Sequence, residues 1–259
     1  QIAEKYKGLY HSNDATVCVS SAKIMLGDGS YIVYLWQAGF PAIGRGINGL
    51  YNVDVQQVYD LFFGSVLDES EGSLAGIILD NRSNEGGYMT DLDWVVGALA
   101  PEGQTVFFES RTKMGVGHYD YTPWTPKHVY SFAPEVRRNL AAENIPYVVL
   151  CDVNSISCAE ISTYSIMQLP TGHSIGERTW GATGSLLPNE HSTSYTGVFG
   201  DRGLTRMNHY GYVTNFEMRS LNQGIVEGKG VTPDQEVLFK EVGYEGQFKA
   251  AIDYIKKGK

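Results

Sequence analysis

The sequence predicts a mixed α/β fold: a mostly parallel sheet flanked by helices, with a β-hairpin on its N-terminal side. Three observations carry this. Short apolar runs at 74–79 and 146–152 read as strands buried on both faces, as parallel sheets require. Segments with helical apolar spacing alternate with such runs, the pattern of βαβ units. Near the start, Asp28-Gly29 stands between two β-type runs, a strong hairpin signal.

Residues 1–12 read as a short helix or lead-in. Residues 15–26 and 30–36 are predicted strands around the turn Gly27-Asp28-Gly29, and a glycine-rich loop follows over 38–51. Val55, Val58, Tyr59, Phe62 and Phe63 recur at helical spacing and predict a helix over 53–67. The run 74–79 is a strand, 80–87 a polar loop ending in two glycines, 91–99 a helix and 106–112 a strand. A helix is predicted over 134–143 and a strand over 146–152. Ser157 opens the next helix. Beyond it come a brief strand at 173–176, a Gly- and Thr-rich loop at 178–184, a strand at 213–218 and a turn-rich connector at 227–234. The last helix, 245–257, begins acidic and ends basic, which suits both ends of its dipole.

With 259 residues the chain is long enough for a substantial core. One domain over 1–259 is expected: a hairpin region at 1–52, a core at 53–240 and a C-terminal helix at 241–259. Hydrophobic residues make up 42% and charged residues 19%, an ordinary globular composition. The net charge of -9 argues against nucleic acid or anionic membranes as main partners. No run is long enough to span a bilayer, and the residues that follow Gln1 do not read as a signal peptide. Cys18, Cys151 and Cys158 have neither metal nor redox spacing. No zinc spacing, Walker loop or dinucleotide fingerprint is present, so no metal or cofactor is expected. Cys151 and Cys158 read as small core-packing residues.

Ser157 has two readings. It caps the helix, or its hydroxyl is a nucleophile at the positive end of a helix dipole, beside unpaired N–H groups that suit an oxyanion. Gly86 and Gly87 likewise form an ordinary tight turn or bring N–H groups close to a substrate oxygen. Both loops follow buried strands and would lie at the carboxyl ends of a parallel sheet, where α/β sites form. Among the six histidines, His118 is the best candidate base. It lies in a glycine-framed loop with Asp120 near enough in sequence to orient an imidazole. It reads equally as a surface or groove histidine. His191 and His209 read as loop residues, and Tyr119, Tyr121, Tyr195, Tyr210 and Tyr212 cluster in predicted loops, as on peptide-binding surfaces.

Four segments carry a resemblance. Asp80-Asn-Arg-Ser-Asn-Glu-Gly-Gly87 resembles the Asp-Leu-Arg-Asn-Asn-Gly-Gly-Gly loop of the carboxyl-terminal processing (tail-specific) serine peptidase family. Ser155-Ile-Ser157-Cys-Ala-Glu160-Ile161 is similar to that family's nucleophile motif, Ser-Ala-Ser-Ala-Ser-Glu-Ile. Ile175-Gly-Glu-Arg-Thr-Trp-Gly181 looks like its Val-Gly-Glu-x-Thr-Phe-Gly, and Gly230-Val-Thr-Pro-Asp234 matches its Gly-Val-x-Pro-Asp signature. The resemblance implies a crotonase/ClpP-like core, a Ser157 nucleophile, and an oxyanion hole from Cys158 and the Gly86-Gly87 loop. It departs at one position. The general-base lysine that many members carry is replaced by Ala182, and neither Lys113 nor Lys229 stands at the matching place. The tricorn-like branch uses histidine and glutamate instead. Glu227 matches that glutamate, while only His11-Ser12 resembles the upstream histidine element.

The expected function is a serine endopeptidase acting on peptide or protein substrates through an acyl-enzyme on Ser157. A non-catalytic peptide- or ligand-binding protein on the same fold is the alternative. The resemblance also implies a periplasmic or cell-surface location. No stretch is left for the PDZ domain through which such peptidases often read substrate tails.

Overall fold

Strand β4 (Leu74–Asp80) is buried at all seven positions, and so are all five residues of β7 (Tyr147–Cys151). Apolar on both faces, the two can lie only inside a sheet covered on both sides. They lie side by side and parallel at its centre, with Ile77 opposite Tyr147 and Asp80 opposite Leu150. The computed structural model describes residues 10–11, 19–40, 53–101, 108–127, 138–184 and 216–258.

The hairpin forms as predicted. Strand β2 (Val19–Met25) pairs antiparallel with β3 (Tyr31–Gln37). In their turn Asp28 Oδ1 accepts the N–H of Ser30 at 3.0 Å. Strand β3 then runs parallel to β4. With β1 (Tyr10–His11), β8 (Gly172–Gly176) and β11 (Gln235–Glu236), the sheet has the order β1-β2-β3-β4-β7-β8-β11. Tyr10–His11, in the segment read as a short helix or lead-in, is thus an edge strand against Ser20 and Ser21.

Helices cover both faces. On one side lie α1 (Val53–Leu67), α2 (Met89–Gly97) and α3 (Cys158–Met167). Val55, Val58, Tyr59, Phe62 and Phe63 of α1 are all buried there, and Phe63 stacks on Trp94 of α2 at 5.5 Å. On the other side α4 (Phe239–Lys257) packs Phe248, Ala251 and Ile255 onto the sheet. Nine of the ten residues of α3 are buried, so this helix has no solvated face to mark it in the sequence.

Two expectations need correction. The strand expected over 106–112 is β5 (Phe108–Thr112), and it belongs to a second, antiparallel sheet. That sheet has the order β10-β9-β5-β6, with β6 (Thr125–Lys127), β9 (Phe216–Ser220) and β10 (Gly224–Ile225). Its charges explain why it cannot enter the parallel sheet. Arg111 of β5 pairs with Glu217 of β9, and Glu109 with Arg219, each at 2.5 Å on a half-solvated face. The helix expected over 134–143 is a turn over its described part, 138–143. There the N–H of Arg138 donates to Ala98 O at 2.9 Å, so the chain docks on the end of α2 instead of winding on itself. Residues 134–137 lie outside the described residues, as do Cys18, His128, His191, His209, Tyr195, Tyr210 and Tyr212.

Candidate active site

The turns leaving β4 and β7 are stitched together. Asp152 Oδ1 accepts the N–H of Ser83 at 3.0 Å and that of Asn154 at 2.9 Å. Ser155 Oγ donates to Asn81 O at 2.8 Å, and the N–H of Ile156 donates to Asn84 O at 2.9 Å. Ser157 follows at the start of α3 with φ 57° and ψ -117°, outside the regions open to an L-residue. Such a conformation costs on the order of 1–3 kcal/mol and persists only where its surroundings enforce it. Ser157 is half-buried.

Across from it lies the glycine turn. Gly86 has φ 90°, and a β-carbon there would fall 2.6 Å from Ser157 Cβ and 3.0 Å from the nitrogen of Cys158. Gly87 has φ 140°, and a β-carbon there would fall 2.2 Å from Phe40 O. Only glycine permits both approaches. The turn is held from behind: Gly86 N–H donates to Asn84 Oδ1 at 2.8 Å, and Phe40 N–H donates to Gly86 O at 2.7 Å. Cys158 is buried beside Ser157, and its thiol donates to Gly87 O at 3.0 Å. Burial pushes that thiol up to about 12. Among the described residues, the N–H groups of Gly87 and Cys158 have no acceptor.

Two carboxylates fix the third wall, the loop 178–184. Glu160, fully buried, accepts four donors. Oε1 takes the Thr179 hydroxyl at 2.6 Å and the Gly181 N–H at 2.7 Å, and Oε2 takes the Ala182 N–H at 2.8 Å and the Ser157 N–H at 3.2 Å. The last bond is the carboxylate arm of a capping box, readable in the sequence as serine followed three residues later by glutamate. Sequence reasoning placed Glu160 in a motif without giving it this role. Burial raises its carboxyl, against the hydrogen bonds that favour the ionised form. Glu227 Oε2 accepts the N–H and hydroxyl of Thr183, each at 2.8 Å, and the N–H of Gly184 at 3.0 Å. Ala182 O accepts the Ser157 N–H at 3.1 Å, so position 182 borders the nucleophile candidate directly.

Ser157, Gly86, Gly87 and Cys158 therefore come together, with Glu227 one loop away. His118 does not join them in any described contact. It is exposed in the turn after β5, edge-on to Tyr119 at 4.7 Å. Asp120 Oδ2 accepts the Gly117 N–H at 2.7 Å. Lys229 is exposed near a cleft of ≈ 540 Å³ that Arg178, Ile225 and Gly230 also line; the cleft includes neither Ser157 nor the glycine turn. Among the described residues, no group of three His, Cys, Asp or Glu side chains is placed to hold a metal.

The sequence model of peptidase family S41 matches residues 57–237. Comparison with curated proteins returns no match. Among solved structures, mature CPAF is similar with a TM-score of 0.64 at 12% identity, over 96% of this chain and 55% of that one. A candidate peptidase from Parabacteroides merdae gives a TM-score of 0.63 at 22% identity, over 91% of this chain and 64% of its own. The photosystem II D1 C-terminal processing protease gives 0.53 at 17%, over 90% of this chain and 51% of its own. The chain thus spans between about half and two thirds of the length of these proteins.

Proposed function

Since the chain belongs to peptidase family S41, we propose that it is a serine peptidase in which Ser157 attacks the carbonyl carbon of a peptide bond. A bond forms from Ser157 Oγ to that carbon. The hydroxyl proton passes to a general base and from it to the departing amine as the C–N bond breaks. Water then hydrolyses the acyl-enzyme by the reverse proton route. The developing oxyanion is held by the N–H groups of Gly87 and Cys158. Gly86, whose own N–H is engaged by Asn84, serves by allowing the approach. The observation that carries the reading is the contact between Gly86 and the strained Ser157.

The base is not a lysine at the position where the family resemblance would put one, because Ala182 stands there beside Ser157. This supports the tricorn-like arrangement of serine, histidine and glutamate, with Glu227 as the glutamate and His118 as the base to be tested first. Among the described residues one oxygen of Glu227 is committed to the loop and Oε1 has no hydrogen-bond partner, which suits it to orient an imidazole. Peptide or protein substrates and a periplasmic or cell-surface location follow from the same family reading.

A fluorophosphonate probe tests the proposal. Wild type is expected to be labelled at Ser157 and the Ser157→Ala variant not at all. Absence of labelling in wild type, with all upstream sequence present, would replace this reading with the non-catalytic binding protein.

A further inference from the structure

Behind the glycine turn lies a run of buried amides and hydroxyls that the chemistry above does not use. Its hub is Asn81. The amide nitrogen of Asn81 donates to Ser162 Oγ at 2.6 Å and to Ala159 O at 3.4 Å, both on α3. Its oxygen accepts from Gln37 Nε2 at 3.3 Å and from Asn84 Nδ2 at 3.4 Å. An asparagine amide has two N–H donors and two lone pairs, and here each is used. The run continues on both sides. Tyr59 of α1 donates to Gln37 Oε1 at 2.5 Å, and Asn84 Oδ1 accepts the N–H of Gly86 at 2.8 Å. Tyr59, Gln37, Asn81, Asn84 and Ser162 are all fully buried.

The side chain of Asn81 thus bonds the helix that carries Ser157 on one side and the loop that carries Gly86 on the other. We propose that Asn81 is a positioning residue that sets the register between the nucleophile and the glycine turn, an inference that rests on the Ser157 reading above. The peptidase loop that this segment resembles has leucine at the corresponding place, which makes leucine the substitution to test. Leucine there leaves the Gln37 and Asn84 amides without their acceptor in a dry interior, and such groups pull neighbouring backbone with them to find one. A shift of the turn by a fraction of an ångström is enough to weaken an oxyanion donor.

The test uses the full chain with Asn81→Leu and, as a milder change, Ser162→Ala. Two readouts are followed: hydrogen exchange of the Gly86 amide, and fluorophosphonate inactivation resolved into its limiting rate and half-saturation concentration. In Asn81→Leu, exchange at Gly86 is expected to accelerate by about tenfold or more while the amides of β4 keep their protection. The limiting inactivation rate is expected to fall by about tenfold or more at unchanged half-saturation and with an unaltered pH profile, since no hub group titrates near neutrality. Ser162→Ala should move both readouts in the same direction by less. Gly86 exchange and inactivation within about twofold of wild type in both folded variants overturns the inference. Faster Gly86 exchange in a protein whose wild type takes no probe would sink the nucleophile reading and leave the registering role standing.

Discussion

Ser157 and Gly86 touch: a methyl group placed on the glycine would come within 2.6 Å of the serine β-carbon. The contact joins the ends of two parallel strands, and the site exists only while that gap stays closed. Gly86→Ala must open it, since alanine also resists φ near 90°. The variant is expected to lose about a hundredfold or more in fluorophosphonate labelling rate and about 1–3 kcal/mol of stability. Labelling kinetics and urea unfolding on one preparation would show it. A normal labelling rate would mean the turn takes no part.

Glu160 gives a pH-dependent prediction. Its carboxyl is raised in the fold, chiefly by burial. The folded state therefore holds that proton more tightly than the unfolded chain does. The stability this contributes is complete below the unfolded value, near about 4.3, and is lost as pH rises through the raised folded value. Glu160→Gln should remove that fall, because glutamine does not ionise. It should also cost about 1–3 kcal/mol at neutral pH, since one amide oxygen cannot serve all four donors. Urea titrations across this range decide the point: equal pH slopes in both proteins would contradict it.

His118→Ala is the decisive change for the base. If the exposed turn after β5 reaches the site during turnover, labelling and peptide hydrolysis should fall by about a hundredfold or more. A loss of only a few-fold would pass the role to another histidine, and the same assay on His11→Ala would be the next step.

Asp80 and Arg82 form a buried ion pair, and Arg82 also donates to Tyr244 O and to Gln247 Oε1 at 3.1 Å, both on α4. Asp80→Ala leaves the guanidinium buried with its charge uncompensated, at a cost of about 3–5 kcal/mol. Calorimetry should show the drop. A double change of Asp80 and Arg82 to apolar residues should recover part of it, and failure to recover any would mean that packing, not charge, sets the loss.

The thiols of Cys151 and Cys158 are buried, and burial raises both. In a Cys18→Ser background, neither should react with a thiol reagent at mildly alkaline pH until denaturant is added. Prompt reaction of one thiol in the native protein would show that the wall around Cys158 opens.

The central strands and both loops of the candidate site were legible because their signals are local. Runs such as 74–79 are apolar on both faces, and Gly86-Gly87 and Ser157 sit directly after buried strands. The second sheet was not legible. Residues 106–112 read as one more strand, and the partner that takes Phe108–Thr112 elsewhere, β9 with its ladder and its Glu217 and Arg219 ion pairs, lies over a hundred positions away. His118 and Asp120 show the limit of proximity in sequence. Two residues apart suggests a pair, yet the hairpin backbone at Gly117 claims the carboxylate. The Glu160 clamp had a visible half, the serine–glutamate spacing, and a hidden one, since nothing local announces that Gly181 and Ala182 return to the same carboxylate.

The seam between β4 and β7 has a consequence for divergence in this chain's lineage. The distance from Gly86 to Ser157 is set by neighbouring strands in one ladder, whereas the polypeptide between those strands leaves the sheet and supplies β5 and β6, two of the four described strands of the second sheet. That detour can lengthen, shrink or change its exposed residues without altering the gap. Sequence change can therefore gather in the excursion while the spacing at its root stays fixed.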